Sequence, residues 1–190
     1  MENLLQLDKE IFVFLNGLGD DSYDALWLLI TKQIYWSPLF IMVFYLIQKK
    51  IGWKNLGIIV VFLALLITFT DQITNVSKNY FQRLRPCNTP EIKDYIRIVT
   101  QRNSFSFFSG HASNSMASTT FIVLIIQKYY KHTYWLFLFP LIFAFSRIYL
   151  GLHFPGDILA GYFCGATFAF IFHKLYLFLG KKYNFIKELY

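Results

Sequence analysis

The stretch Leu56 to Pro86, LGIIVVFLALLITFTDQITNVSKNYFQRLRP, decides how the rest of the chain is read. Leu56 to Thr70 is a continuous apolar block with none of the alternation that the strands of a membrane barrel need, so it reads as a helix in lipid. After it, Asp71, Asn75, Lys78 and Gln82 recur at i, i+4, i+7 and i+11, which lays one polar stripe on the helix as it leaves the membrane. Pro86 biases Arg85 away from helical dihedrals. A helix is therefore predicted from near Lys54 to about Leu84.

The pattern repeats outward. Apolar runs also cover Ala112 to Ile126, Tyr134 to Phe145 and Ile158 to Phe172, predicting further spanning helices over about Gly110 to Gln127, Thr133 to Leu150 and Pro155 to Leu179. Several runs fall short of the roughly 20 residues that cross the hydrocarbon layer. Trp36, Trp53, Tyr129, Tyr130, Tyr134 and Trp135 stand where interfacial anchors complete such spans. Upstream, Leu4 to Gly17 has helical apolar spacing around Asp8, Lys9 and Glu10, as in an amphipathic helix lying on a membrane surface. Ser22 to Thr31 and Tyr35 to Gln48, the latter with Pro38 near its start, form one bent element or two. Residues 87–108 are the one long loop. The expected architecture is all-α: a single-domain (1–190) polytopic membrane helix bundle of five to six transmembrane helices with an amphipathic N-terminal helix within residues 1–20.

Composition agrees with lipid as the solvent: 56% of residues are apolar, 21% aromatic and 15% charged, against about 25% charged in soluble domains. The opening MENLLQLDKE carries acids and no basic segment before an apolar core, which argues against a cleaved signal peptide. The net charge of +7 is split between short connections and the interval Lys78 to Arg102. No long basic arm exists, which excludes a nucleic-acid partner. Lys49, Lys50, Lys54, Lys128, Lys131, Lys174, Lys181, Lys182 and Lys187 fall on one face, cytoplasmic by the positive-inside rule. The site residues then face the periplasmic or extracellular side of the cytoplasmic (inner) membrane. Cys87 and Cys164, one in a loop and one inside an apolar run, indicate neither a redox compartment nor a metal site.

At helix ends on that opposite face stand Lys78 and Arg85, then Ser109 and His111, then Arg147, His153 and Asp157. Alternating topology brings them to one membrane depth. Two arginines and a lysine can neutralise a phosphoryl group. Ser109, Gly110 and His111 open a helix whose N–H groups favour an anion. Two histidines supply a nucleophile and an acid, and Asp157 can hold an imidazole in the right tautomer. No acidic cluster has metal spacing, so no metal or other cofactor is expected and stabilisation falls to side chains and amides.

The spacing of these residues resembles the type 2 phosphatidic acid phosphatase superfamily. KNYFQRLRP, Lys78 to Pro86, matches K-x6-R-P; Ser109 to His111 matches the end of P-S-G-H; SRIYLGLHFPGD, Ser146 to Asp157, matches S-R-x5-H-x3-D. The three motifs lie within residues 78–157. The resemblance implies phosphate binding by Lys78, Arg85, Arg147, Ser109 and Gly110, attack by His153 to form a phosphohistidine, orientation of His153 by Asp157, and protonation of the leaving oxygen by His111. The usual proline of the middle motif is Phe108, which removes no chemical group. Among membrane members, the opening DKEIFVFLNGLG…YDALWLLIT is most similar to small bacterial enzymes acting on undecaprenyl pyrophosphate. Lipid A and phosphatidylglycerophosphate phosphatases share the motifs.

Other residues read more plainly. His132 and His173, each beside a lysine, are read as structural. Gly161 and Gly165 make G-x3-G, read as close helix packing. Asp71 and Asn75 are read as support for Lys78 rather than as an ion pathway. Lys93, Arg97 and Arg102 are read as solvated loop charges placed to contact a headgroup. A transporter on the same fold would not need the complete histidine and aspartate set. A vanadate haloperoxidase, which shares the phosphate site, would be soluble.

Overall fold

The computed structural model describes residues 2–183 and contains, among them, helices and turns but no strand; Lys187 of the basic tail lies outside the described residues. The helices are α1 (Glu2–Gly17), α2 (Asp24–Ile30), α3 (Ser37–Phe81), α4 (Gly110–Ile126), α5 (Leu138–Tyr149) and α6 (Pro155–Lys182). Short 3-10 turns precede α2, α3 and α5. Two stretches, Gln33–Asn88 and Pro155–Lys182, are helical, long and apolar enough to cross a membrane. Their apolar side chains point mostly outward, as with Ile41, Val61, Leu65, Leu159, Phe163 and Phe178. In water such a surface would aggregate; in lipid it is the expected one.

The element left open upstream of Lys54 is a helix of its own, residues 37–51, that runs into residues 53–81 across a break at Gly52. Gly52 interrupts α3 with φ 77° and ψ 170°, a conformation glycine adopts without steric cost. The kink separates residues 37–51 from 53–81 and lies between Lys50 and Lys54. The far end of α3 departs from expectation. It stops at Phe81, where Gln82 takes the left-handed conformation (φ 46°) and returns its N–H to the Lys78 carbonyl. The polar stripe thus ends at Lys78. Residues 83–85 leave the helix, with Arg85 extended (φ −74°, ψ 156°) as a residue before proline prefers.

Two apolar cores stack along the bundle. One, away from the candidate site, gathers Ile47, Ile59 and Leu66 of α3, Phe121 and Ile125 of α4, and Ala169 and Tyr176 of α6. The other gathers Phe12 of α1, Ala112 of α4, Ala144 and Ile148 of α5, and Phe154 and Ile158. α4 and α6 pack closest because Gly161 and Gly165 face the α4 backbone. A Cβ on Gly161 would lie 2.7 Å from the Ser109 carbonyl oxygen. Gly165→Val, forced against the Ser113 carbonyl, is expected to cost about 1–3 kcal/mol by overpacking, read as a fall in the thermal unfolding midpoint of the purified protein.

The N-terminal helix is amphipathic as expected, with Leu4, Leu7, Ile11 and Phe14 outward and Phe12 and Asn16 buried. Asn16 explains how it docks: its amide donates to the carbonyls of Arg97, Ile148 and Tyr149, and its oxygen accepts the Arg97 N–H at 2.7 Å. Arg97 is accordingly not a solvated loop charge. It pairs with Asp21 and Asp24 at 2.6 and 2.8 Å and lies over the Tyr149 ring. These contacts fasten residues 87–108 to the ends of α1, α2 and α5.

Candidate active site

Phe81, Gly110, Tyr149 and Pro155, the ends of α3 and α5 and the starts of α4 and α6, meet at one end of the bundle, and the residues singled out in the sequence meet there with them. The basic connections gather at the other end. There Lys50 lies over the Tyr130 ring, and the Tyr130 hydroxyl donates to the Leu46 carbonyl at 3.1 Å.

At the site, the tight turn 151–154 after α5 carries His153. Gly151 allows it with φ 80°, and the N–H groups of Leu152 and His153 both return to the Arg147 carbonyl. The imidazole is 2% exposed. Arg85 Nη1 lies 2.9 Å from His153 Nε2. A guanidinium can only donate, so Nε2 is the acceptor and the ring proton belongs on Nδ1. Nδ1 faces Asp157 Oδ2 at 3.4 Å. Burial pushes the His153 pKa down to about 4, against the upward pull of Asp157, which leaves a neutral imidazole with its lone pair on Nε2, turned toward Arg85, at ordinary pH.

Arg85 is held on several sides. Besides His153 it donates to the Leu152 carbonyl at 2.8 Å and to the carbonyl and hydroxyl of Ser104 at 2.7 and 3.0 Å. Arg147, 3% exposed at the end of α5, donates to the Thr31 hydroxyl at 2.5 Å. Among the described residues its buried Nε has no hydrogen-bond partner, a donor left over for an anion. Lys78 sits within electrostatic range of Arg85, Arg147 and Asp157. Ser109 caps α4 by accepting the Ala112 N–H, and its own N–H donates to the Asp157 carbonyl at 3.0 Å. Gly110 abuts α3, where a Cβ would meet Thr74 Cγ2 at 3.3 Å. His111 follows on the first turn of α4, its ring stacked on Phe143 at 5.1 Å. Asp71 accepts from Asn114 at 2.6 Å, so it braces α3 against α4.

All eight predicted site residues thus meet at one end of the bundle. Arg83 was missed, although it stands inside the first motif. Its Nη1 donates to Asp157 Oδ1 at 2.7 Å and its Nη2 to Asp8 Oδ2 at 2.6 Å. The motif singles out Arg85 by its spacing from Lys78 and by Pro86, and gives Arg83 no role. Only the non-helical path of residues 83–85 turns the two guanidinium groups to different partners.

The arrangement offers several positive groups and a helix N-terminus around one neutral, oriented imidazole. Comparison with known proteins identifies the family. The PAP2 superfamily model matches residues 56–181. A lipid A 4'-phosphatase of Bacteroides thetaiotaomicron is 37% identical over 188 residues, covering 92% of this chain and 81% of that protein. An undecaprenyl-diphosphatase of Sulfolobus acidocaldarius is 29% identical over 115 residues, covering 57% of this chain and 52% of that protein. In fold, the chain resembles the crystal structure of a transmembrane PAP2-type phosphatidylglycerolphosphate phosphatase from Bacillus subtilis, with a TM-score of 0.70 at 19% identity over 92% of this chain and 87% of that one.

Proposed function

The chain belongs to the PAP2 superfamily and is a membrane lipid phosphatase, and from that premise we propose that it removes a phosphate monoester from lipid A through a phosphohistidine on His153. The chemistry rests on one observation, the line Arg85 Nη1, His153 Nε2, His153 Nδ1, Asp157 Oδ2.

Substrate phosphate takes over the Arg85 N–H that His153 Nε2 accepts in its absence, freeing that lone pair, together with Arg147 Nε, the Lys78 ammonium, the Ser109 hydroxyl and the first-turn amides of α4. The Nε2 lone pair attacks phosphorus as the bond to the lipid oxygen breaks. His111 protonates that oxygen, and Asp157 stabilises the imidazolium character that develops on His153. Water then attacks the phosphohistidine, His111 accepts its proton, the P–N bond breaks, and inorganic phosphate leaves.

Likeness along nearly the whole chain supports lipid A as the lipid. The DKEIFVFLNGLG opening favoured undecaprenyl pyrophosphate in the sequence reading. Against that, the lipid A phosphatase aligns almost end to end, whereas the undecaprenyl-diphosphatase aligns over little more than half the chain. A groove of about 510 Å³ between α3, α4 and α5 has one apolar side, Phe40, Ile67, Phe139 and Phe143, and one polar side, Ser37, Asn114, Ser115 and Ser118, which suits an amphipathic lipid. Phe143 also stacks on His111, which joins the groove to the reacting end. The topology we favour has five spans, residues 37–51, 53–81, 110–126, 133–149 and 155–182. The lysine connections then lie in the cytoplasm and the site faces the periplasm.

The expected result of a phosphate-release screen across lipid A, undecaprenyl pyrophosphate, phosphatidylglycerophosphate and phosphatidic acid is fastest turnover of lipid A, unaffected by chelator. Preference for undecaprenyl pyrophosphate would restore the sequence ranking, and chelator-sensitive release would overturn the mechanism.

A further inference from the structure

The His153–Asp157 pair poses an electrostatic problem. Asp157 is fully buried, and an ionised carboxylate in such a place needs a cation or must neutralise. His153 is not that cation, because its Nε2 accepts from Arg85 and the ring is neutral. Arg83 is. It meets Asp157 Oδ1 at 2.7 Å, while Oδ2 accepts the Phe154 N–H at 3.0 Å and faces His153 Nδ1.

Arg83 is itself fixed by the N-terminal helix. Asp8 of α1 takes the second nitrogen of Arg83 on Oδ2 and the Gly156 N–H on Oδ1, at 2.6 and 2.7 Å. A Cβ at 156 would lie 2.8 Å from Asp8 Oδ2, so a larger residue there would displace the carboxylate. The guanidinium carbon lies 4.1 Å over the Phe154 ring, and Phe12 of α1 meets that ring edge-on at 5.3 Å.

We propose that Arg83, clamped by Asp8 of the N-terminal helix, is a positioning residue that keeps Asp157 ionised and aimed at His153, and that α1 is therefore part of the catalytic apparatus. The proposal rests on the phosphohistidine reading above. Both terminal nitrogens of Arg83 are committed to carboxylates, so it acts through Asp157 and not on phosphate.

The test uses full-length protein in detergent micelles and the four lipids of the screen, with thermal unfolding as the control for folding. Arg83→Gln is expected to lower kcat by about 10- to 100-fold, the usual effect of losing a residue that orients a catalytic ligand, with KM changed less than about 3-fold. Arg83→Lys recovers part of the loss, because one ammonium can hold Asp157 but not both acids. Asp8→Asn, on the partly exposed side of the clamp, lowers kcat in the same sense and keeps the test alive if Arg83→Gln fails to fold. In an Asp157→Asn background, Arg83→Gln is expected to add nothing further. Additive losses, KM effects as large as those on kcat, or unaltered turnover in a folded Asp8→Asn and Arg83→Gln pair would overturn the proposal. His153→Ala, run alongside, separates the two claims: if that variant keeps its activity, the phosphohistidine reading itself fails.

Discussion

His153→Ala is expected to abolish phosphate release, by roughly 10⁴-fold or more, since removing a nucleophile leaves only the binding and electrostatic contributions of the site. The fold should survive. The substitution shortens a buried ring but leaves the 151–154 turn, whose N–H groups are held by the Arg147 carbonyl. Rapid alkaline quench of the unaltered enzyme with labelled substrate should trap a base-stable phosphoprotein that loses its label in acid, absent in the variant. Equal labelling of both would sink the mechanism. The pH profile follows from the same residue. Burial disfavours imidazolium, so the pKa of His153 lies near 4 rather than 6.5. The nucleophile is the neutral ring. Activity governed by it should therefore persist as pH falls through 6.5 and be lost only toward pH 4.

Arg85→Ala is expected to cost both activity and stability. In the folded protein its guanidinium satisfies the carbonyls of Leu152 and Ser104. Truncation would leave these acceptors unpaired, at about 1–3 kcal/mol each where they are buried. In the reaction it is the cation already touching Nε2, and it is placed to follow the charge onto phosphate. A loss of roughly 10²–10³-fold in kcat/KM is expected, as when one preorganised donor is removed from an anionic transition state. Arg85→Lys should recover little, because one ammonium cannot reproduce donation to His153, Leu152 and Ser104 at once. Steady-state kinetics and thermal unfolding on the same preparations check both effects, and a fully active Arg85→Lys would show that charge alone suffices.

The sequence by itself determined the helical class and which motif residues gather at one end of the bundle. Uninterrupted apolar blocks leave the backbone no partner but itself in lipid, so α4 was predicted within a residue of its bounds, Gly110–Ile126. Alternating topology then had to bring Lys78, Ser109 and His153 to one end. Motif spacing is local information, and local information survives without a structure. The tertiary fold decided what depends on exit angles and long-range pairing. The left-handed Gln82 ends α3 three residues before the expected Leu84 and sends Arg83 and Arg85 to different partners. Asn16 and Arg97 draw the loop onto α1 across 81 residues of chain. Asp8 reaches Gly156 across 148. No periodicity or propensity encodes a contact at that separation; it exists only once the helices pack and a buried charge must find its counter-charge.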